Sequence, residues 1–296
     1  MTTAAQQFAQ RNRNTIFVED GALLSVEEFP GDQFIMRIRS PKCAAAAKPG
    51  SFVHVSCDVT LPMRRPLSIM RVEDDCIDVL YKIVGDGLRW LSAKRPGDSI
   101  SVLGPVGQPF QPSTERPNAL LVGGGVGIPP MVFLAECLRL RPDTWSPLAI
   151  FGSELPFPFE LKSSAIETRW LDSDVNATMP LMESWGIPCR LATLSGFEHC
   201  FNGYVTDLGE LWLSSLSTEE RAKTEVFACG PTPMLKAVAA LAAKYDLPCQ
   251  VSLEEFMACA VGGCAGCAVK INTPDGPAMK RVCVDGPVFN AAEVAW

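Results

Sequence analysis

The chain has 296 residues, 47% of them hydrophobic and 20% charged, which is enough to bury the cores of two or three compact domains. A net charge of −7, a pI near 5.0 and no clustered Lys and Arg exclude a nucleic-acid binder, which needs a basic stripe to meet phosphates. Twelve cysteines, scattered singly except for one stretch near the C-terminus, suit a reducing compartment better than a disulfide-stapled secreted scaffold.

The opening residues MTTAAQQFAQRNRN lack the apolar core of a signal peptide, and nowhere do eighteen consecutive apolar residues occur. The expectation is a disordered tail over residues 1–14 on a cytoplasmic protein that does not enter a membrane. From Thr15 onward, seven short runs rich in β-branched and aromatic residues alternate with Gly and Pro: TIFVED, ALLSVEE, QFIMRIRS, SFVHVSC, RPLSIMRV, CIDVLYKIV and DSISVLGPVG. Only GLRWLSAKR between them looks helical, so the spacing predicts an antiparallel β-barrel over residues 15–112.

The polar, proline-rich QPSTERPN at 111–118 marks a boundary. Beyond it strand and helix patterns alternate through NALLVGGGVGIPPMVFLAECLRLR, PLAIFG, PCRLATLSG, YVTDLGELWLSSL, TEVFACG and TPMLKAVAALAAKYDL. That alternation predicts a parallel sheet with helices on its faces over 117–250. Ser153 to Met179 reads as loop with one helix. VSLEEF then leads into a small terminal module, 251–296.

The terminal module holds the most specific pattern. Cys259, Cys264 and Cys267 stand in the C-x4-C-x2-C spacing of plant-type [2Fe–2S] loops, and Cys283 supplies a fourth thiolate. The strand-like AVKI and AMKRV flank the turn residues NTPDGP, a hairpin folded at Asp275 and Gly276 that would return Cys283 to Cys267. Gly262, Gly263 and Gly266 would let backbone amides approach an anionic cluster without a Cβ in the way. A four-thiolate zinc site is the competing chemistry, although zinc ribbons show two C-x2-C knuckles and this chain has one.

Weaker signals lie upstream. Arg65-Pro66-Leu67-Ser68 falls on a barrel strand, and Tyr81-Lys82 leads into Gly85 and Gly87 at a strand-to-helix junction. A cation, a hydroxyl and amides at a helix start are what a pyrophosphate needs. Gly123-Gly124-Gly125-Val126-Gly127 follows a buried-looking strand and opens a helix, as dinucleotide-binding loops do, though it is no G-x-G-x-x-G match. Glu154, after the next strand, would accept from ribose hydroxyls and repel a 2′-phosphate, favouring NADH. Cys229-Gly230-Pro231 ends a further parallel strand, at the sheet edge where ligands of open α/β folds bind. His54 and His199 have no catalytic partners in sequence and read as structural or surface residues.

In the order RPLS, YKIVGDG, GGGVG, ACGP and an iron–sulfur loop, the chain resembles the ferredoxin–NAD(P) reductase superfamily from about residue 15 to its end. Within it, SLEEFMACAVGGCAGCAVK, KRVCVDGPVF and GYVTDL are similar to runs of the electron-transfer subunits of NAD-dependent, heteromeric dihydroorotate dehydrogenases. The resemblance implies FAD held by Arg65, Pro66, Leu67 and Ser68 with Gly85 and Gly87, a nicotinamide nucleotide near Cys229, and a [2Fe–2S] cluster. Leu88 departs from it, since the family has a hydroxyl residue there. The partner implied is an FMN-containing catalytic subunit, in a heterotetramer serving pyrimidine biosynthesis. Since electrons must cross to it near the cluster, Val261, Val288 and Phe289 are expected to be exposed docking anchors. The reductase component of an oxygenase and a zinc-stabilised scaffold are the alternatives; the oxygenase modules have a longer gap before the last cysteine.

Overall fold

Strand formation in the first half follows the period of two in the sequence. The computed structural model describes residues 15–296, so the disordered tail expected over 1–14 lies outside the described residues. Six strands close into an antiparallel barrel in the order β1-β2-β5-β4-β3-β6. They are β1 (Phe17–Phe29), β2 (Gln33–Arg39), β3 (Phe52–Val55), β4 (Arg65–Glu73), β5 (Cys76–Lys82) and β6 (Ser99–Val106). Along β2 the side chains of Phe34, Met36 and Ile38 are buried while Arg37 turns outward. The seven expected strands become six because TIFVED and ALLSVEE are one continuous β1. Gly21 between them makes a close approach rather than a turn, since a Cβ there would stand 2.7 Å from Ile38 Cγ2. A register shift between Leu23 and Ser25 bends the long strand instead. A short helix, Pro41–Ala46, also forms where the sequence reading had none.

The second half is a seven-stranded sheet in the order β12-β11-β8-β7-β13-β14-β17. Its strands are β7 (Asn118–Gly124), β8 (Ser146–Gly152), β11 (Cys189–Thr193), β12 (Phe201–Asn202), β13 (Thr224–Cys229), β14 (Cys249–Ser252) and β17 (Val288–Asn290). The first six are parallel; β17 runs antiparallel to β14. Both faces are covered. Leu120 and Val122 pack with Leu208, Leu235 and Val238 of helices Val205–Ser215 and Thr232–Lys244, whereas Ala119 and Leu121 pack with Met131 and Leu134 of helix Ile128–Arg139.

Between Ser153 and Met179 there is no helix, contrary to expectation. Pro156 and Pro158 withhold amide donors early in it, and its only ladder is the two-residue pair β9 (Lys162–Ser163) and β10 (Ala177–Thr178). The helix starts one residue later, at Pro180–Ser184. Near the C-terminus β15 (Ala268–Thr273) and β16 (Gly276–Arg281) form the expected hairpin. No helix among the described residues is long and apolar enough to cross a membrane.

The barrel and the sheet meet along β4. Arg71 Nη2 reaches Glu136 Oε1 at 2.9 Å on helix Ile128–Arg139, and the guanidinia of Arg71 and Arg139 lie 5.5 and 4.7 Å from the Trp185 ring centroid. His54, read as structural or surface, proves to be buried in β3 at 1% exposure, and neither ring nitrogen has a hydrogen-bond partner. Burial first, then the Arg64 charge, holds His54 at about 4, below its ordinary 6.5. The unfolded chain therefore takes up a proton near pH 6.5 that the fold refuses. Stability from this residue is complete above pH 6.5 and is lost as the pH falls toward 4, by up to about 3 kcal/mol. Urea unfolding at pH 7.5 and 5.5 is expected to show a shallower pH dependence for His54→Gln than for the wild type; equal slopes would refute this.

Candidate functional site

A cavity of about 870 Å³ opens where the barrel meets the end of β14. Arg65, Pro66, Leu67 and Ser68 line it from the start of β4, and Leu80, Tyr81 and Lys82 from the end of β5. The expected residues thus converge because β4 and β5 are barrel neighbours. Gly85 and Gly87 begin helix Gly85–Ser92 alongside. Gly85 adopts φ +74 with open space where a Cβ would be, and a Cβ on Gly87 would lie 2.8 Å from Arg65 Nε and Nη2. The guanidinium of Arg65 therefore lies flat on the helix start. Its Nη1 donates to the carbonyls of Met63 and Arg64, and among the described residues it has no carboxylate partner. Tyr81 stacks on Phe34 at 5.5 Å, and its buried hydroxyl has no partner. Leu88, the departure from the resemblance at this helix start, is buried and lines the cavity as an apolar residue.

The opposite wall was not anticipated from sequence. Ser252, Leu253, Glu254, Glu255, Phe256 and Met257 follow β14 across the cavity, and Ala258, Gly266 and Pro287 of the cysteine-bearing segment complete it. Glu254 faces the open cavity, yet enough protein surrounds it that burial raises its carboxyl above the usual carboxylate range. The only hint in sequence was a pair of carboxylates directly after an apolar strand.

The glycine run lies behind this cavity rather than on its wall, where only Val126 appears. Gly123 and Gly124 belong to β7, and the turn proper is Gly125–Gly127 ahead of helix Ile128–Arg139. Gly127 packs on the end of β13, where a Cβ would meet the Cys229 carbonyl oxygen at 2.2 Å; Gly125, at φ +54, has open space on its outer side. Cys229 is in register with Gly123 on one side and Ser252 on the other, and is buried. Burial and then the charge of Glu254 push its thiol up, so it is an inert thiol as it stands. Gly230 and Pro231 carry the chain from β13 into helix Thr232–Lys244, close enough to Gly124 that a Cβ on Gly230 would sit 3.2 Å from its amide nitrogen. Glu154 is exposed, in the loop after β8.

Of the four thiols, Cys267 and Cys283 are buried, Cys259 is half-buried and Cys264 is exposed. Among the described residues no three His, Cys, Asp or Glu side chains are gathered tightly enough to hold a metal ion as they stand. The backbone is nonetheless shaped around sulfur, with Ala260, Gly262 and Ala265 all at positive φ and the Gly266 amide donating to Cys264 Sγ at 3.4 Å. Burial would raise the Cys259 thiol, but amide donors of Cys264, Val261 and Gly263 outweigh it and bring it to about 7. Burial, then the neighbouring Cys267 thiol, pushes Cys283 up to about 12. Val261 is exposed as expected, but Val288 is half-buried and Phe289 is buried against Gly286. Its ring packs the module rather than facing a partner.

The family profile of the iron–sulfur cluster binding domain of dihydroorotate dehydrogenase B matches residues 254–295. Over 248 residues the chain is 32% identical to the dihydroorotate dehydrogenase B (NAD(+)) electron transfer subunit of Caldanaerobacter subterraneus subsp. tengcongensis, covering 84% of this chain and 87% of that one. The chain belongs to this family. The corresponding subunit of Desulforamulus reducens is 30% identical over 283 residues, 94% of this chain and 98% of the other. Among solved structures, an NADH-dependent reduced ferredoxin-NADP oxidoreductase aligns with a TM-score of 0.74 at 25% identity, over 94% of this chain and 90% of that one. A ferredoxin reductase of carbazole 1,9a-dioxygenase shares the fold, with a TM-score of 0.59 at 20% identity over 79% and 67% of the two chains.

The tightest contact at this sheet edge yields a test. Gly127→Ala must displace the Cys229 carbonyl, so we expect it to destabilise the folded chain by about 1–3 kcal/mol in urea unfolding, while Gly125→Ala, strained only by its φ, costs about 1 kcal/mol. The reverse order would show that the turn does not pack as described.

Proposed function

We propose that Cys259, Cys264, Cys267 and Cys283 hold a [2Fe–2S] cluster, that FAD occupies the cavity walled by Arg65, Pro66, Leu67, Ser68, Tyr81 and Lys82 with Gly85 and Gly87 at its mouth, and that NAD(H) meets the sheet edge at Gly123, Gly124, Gly125, Gly127, Gly230 and Pro231, with Cys229 beneath the nicotinamide. In this reading the barrel, 15–112, the α/β domain, 117–250, and the cluster module, 251–296, each contribute one redox site, and the protein works in the cytoplasm. As an electron-transfer subunit it passes electrons between the FMN of a catalytic dihydroorotate dehydrogenase subunit and NAD, in pyrimidine biosynthesis. When bound, FAD exchanges a pair of electrons with the nicotinamide and single electrons with the cluster.

One observation carries the reading: the cavity has flavin-type residues on one wall and, on the other, Met257, Ala258 and Gly266 from the segment that bears the cysteines. The residues present fit the groups assigned to them. Arg65, free of any carboxylate and laid on a helix start, offers a charge-assisted contact to a pyrophosphate. The orphaned Tyr81 hydroxyl borders the space a flavin would fill. Amides aimed at Cys259 and Cys264 support thiolates, as an anionic cluster requires. Glu254 stands at the edge of the same cavity, its carboxyl raised by the surrounding protein.

Two outcomes are expected. Each of Cys259→Ser, Cys264→Ser, Cys267→Ser and Cys283→Ser loses iron and acid-labile sulfide, while Cys43→Ser and Cys76→Ser keep them; wild-type sulfide in any of the first four removes that residue from the ligand set. Arg65→Ala releases flavin with an affinity loss of about 1.5–3 kcal/mol, measured as flavin retained after dialysis, while Arg89→Ala on the exposed face of the neighbouring helix retains it. The function itself is tested by mixing the purified protein with a dihydroorotate dehydrogenase B catalytic subunit. NAD-linked dihydroorotate oxidation should require both chains, and a catalytic subunit that reduces NAD unaided, or forms no complex, would overturn the assignment.

A further inference from the structure

Residues 281–286 form the tight turn that carries Cys283. The Arg281 carbonyl accepts from the amides of Val284 at 3.2 Å, Asp285 at 2.8 Å and Gly286 at 3.3 Å, so successive donors wrap one oxygen. The Asp285 carboxylate turns back on the same residue, its Oδ2 accepting from the Arg281 amide at 2.8 Å and from Nε at 3.0 Å. Oriented by that grip, Arg281 Nη1 donates to the Gly262 carbonyl at 3.0 Å, in the loop between Cys259 and Cys264. The next residue, Val282, donates its amide to the Cys267 carbonyl at 3.0 Å. Gly262 is at φ +77, and a Cβ there would press on Val284 at 2.9 Å and on Nη1 at 3.2 Å. The guanidinium thus lies between the loop bearing Cys259 and Cys264 and the turn bearing Cys283.

We infer that Arg281 is a positioning residue for the cluster: through Gly262 it clamps the loop bearing Cys259 and Cys264 onto the turn bearing Cys283, and its charge, partly offset by Asp285, sets the reduction potential. The inference rests on the assignment of the cluster to these four thiols. A cluster held by four thiolates is anionic and gains further negative charge on reduction, so a nearby cation favours the reduced form and a nearby carboxylate opposes it. Clamp and charge can be separated, because Lys keeps the charge without the fork, whereas Gln keeps a donor without the charge.

The experiment is a redox titration of the holoprotein followed by the electron paramagnetic resonance signal of the reduced cluster, with iron, sulfide and flavin assayed in each sample. Arg281→Gln is expected to weaken reduction about tenfold, or about 59 mV for one electron, at unchanged flavin content. Arg281→Lys should stay within about twofold of wild type, and Asp285→Asn should shift the potential upward. Wild-type potentials in both Arg281→Gln and Asp285→Asn with full iron content overturn the inference, as does a fall in Arg281→Lys as large as in Arg281→Gln. If Arg281→Gln assembles no cluster, Asp285→Asn decides: an upward shift sustains the inference and an unchanged potential overturns it. Wild-type protein without iron and sulfide would instead sink the cluster assignment on which the inference rests.

Discussion

The short antiparallel ladder between β14 and β17 is the constraint on which the redox arrangement depends. The chain leaves the sheet after Ser252, runs through all four cysteines, and returns at Val288 to pair with Ser252 itself. The two ends of the excursion are thus stitched side by side, and the Leu253 amide extends the stitch to the Pro287 carbonyl at 2.9 Å. The barrel holds the same point from the other side. Gln108, just past β6, donates its amide to the Gly286 carbonyl at 2.6 Å and its side-chain amide to the Val284 carbonyl at 3.0 Å. Three parts of the chain therefore meet at residues 284–288, and the cluster segment cannot swing without breaking hydrogen bonds to both of its neighbours. Electron transfer between two centres demands such fixity, because a module on a flexible linker would leave the separation of the centres undefined.

The thiols show how the two sides of the cluster site differ. The Cys259–Cys264 side is open and rich in amide donors, which brings Cys259 near neutral ionisation, while the Cys267–Cys283 side is buried and keeps Cys283 protonated up to about pH 12. Ligation on the buried side must expel a proton from Cys283, a cost that metal–thiolate bonding has to offset.

Sequence legibility tracked the range of each interaction. The four cysteines assigned to the cluster stand out in sequence because three of them lie within one loop, and the hairpin leading to the fourth carries its own turn residues. Arg65 to Ser68 could be named but not placed, since only barrel closure sets β4 beside β5. Glu254 reads locally as connector after an apolar strand, because nothing nearby in sequence shows that the end of β14 lies across a cavity formed by residues far earlier in the chain. Phe289 was misjudged for the same reason: an apolar residue in a short tail looks exposed until β17 joins the sheet. Gly21 was misread locally, as punctuation between two strands, when its role is to let Ile38 pack close within one.

Strand β4 joins these features. Its first residues line the cavity assigned to FAD, and Arg71, near its other end, ties the barrel to helix Ile128–Arg139 through Glu136 and Trp185. That helix is in turn started by the glycine turn that packs against Cys229. A single rigid path therefore runs from the cavity wall along β4, across the Arg71–Glu136 pair and down one helix to the sheet edge assigned to the nicotinamide. Arg71 is mostly shielded from water, so its pair with Glu136 is less screened than a surface salt bridge and holds the two domains at a fixed angle. The barrel cavity and the sheet edge assigned to the nicotinamide are thereby tied through one helix, a placement that a hydride passed between them would need.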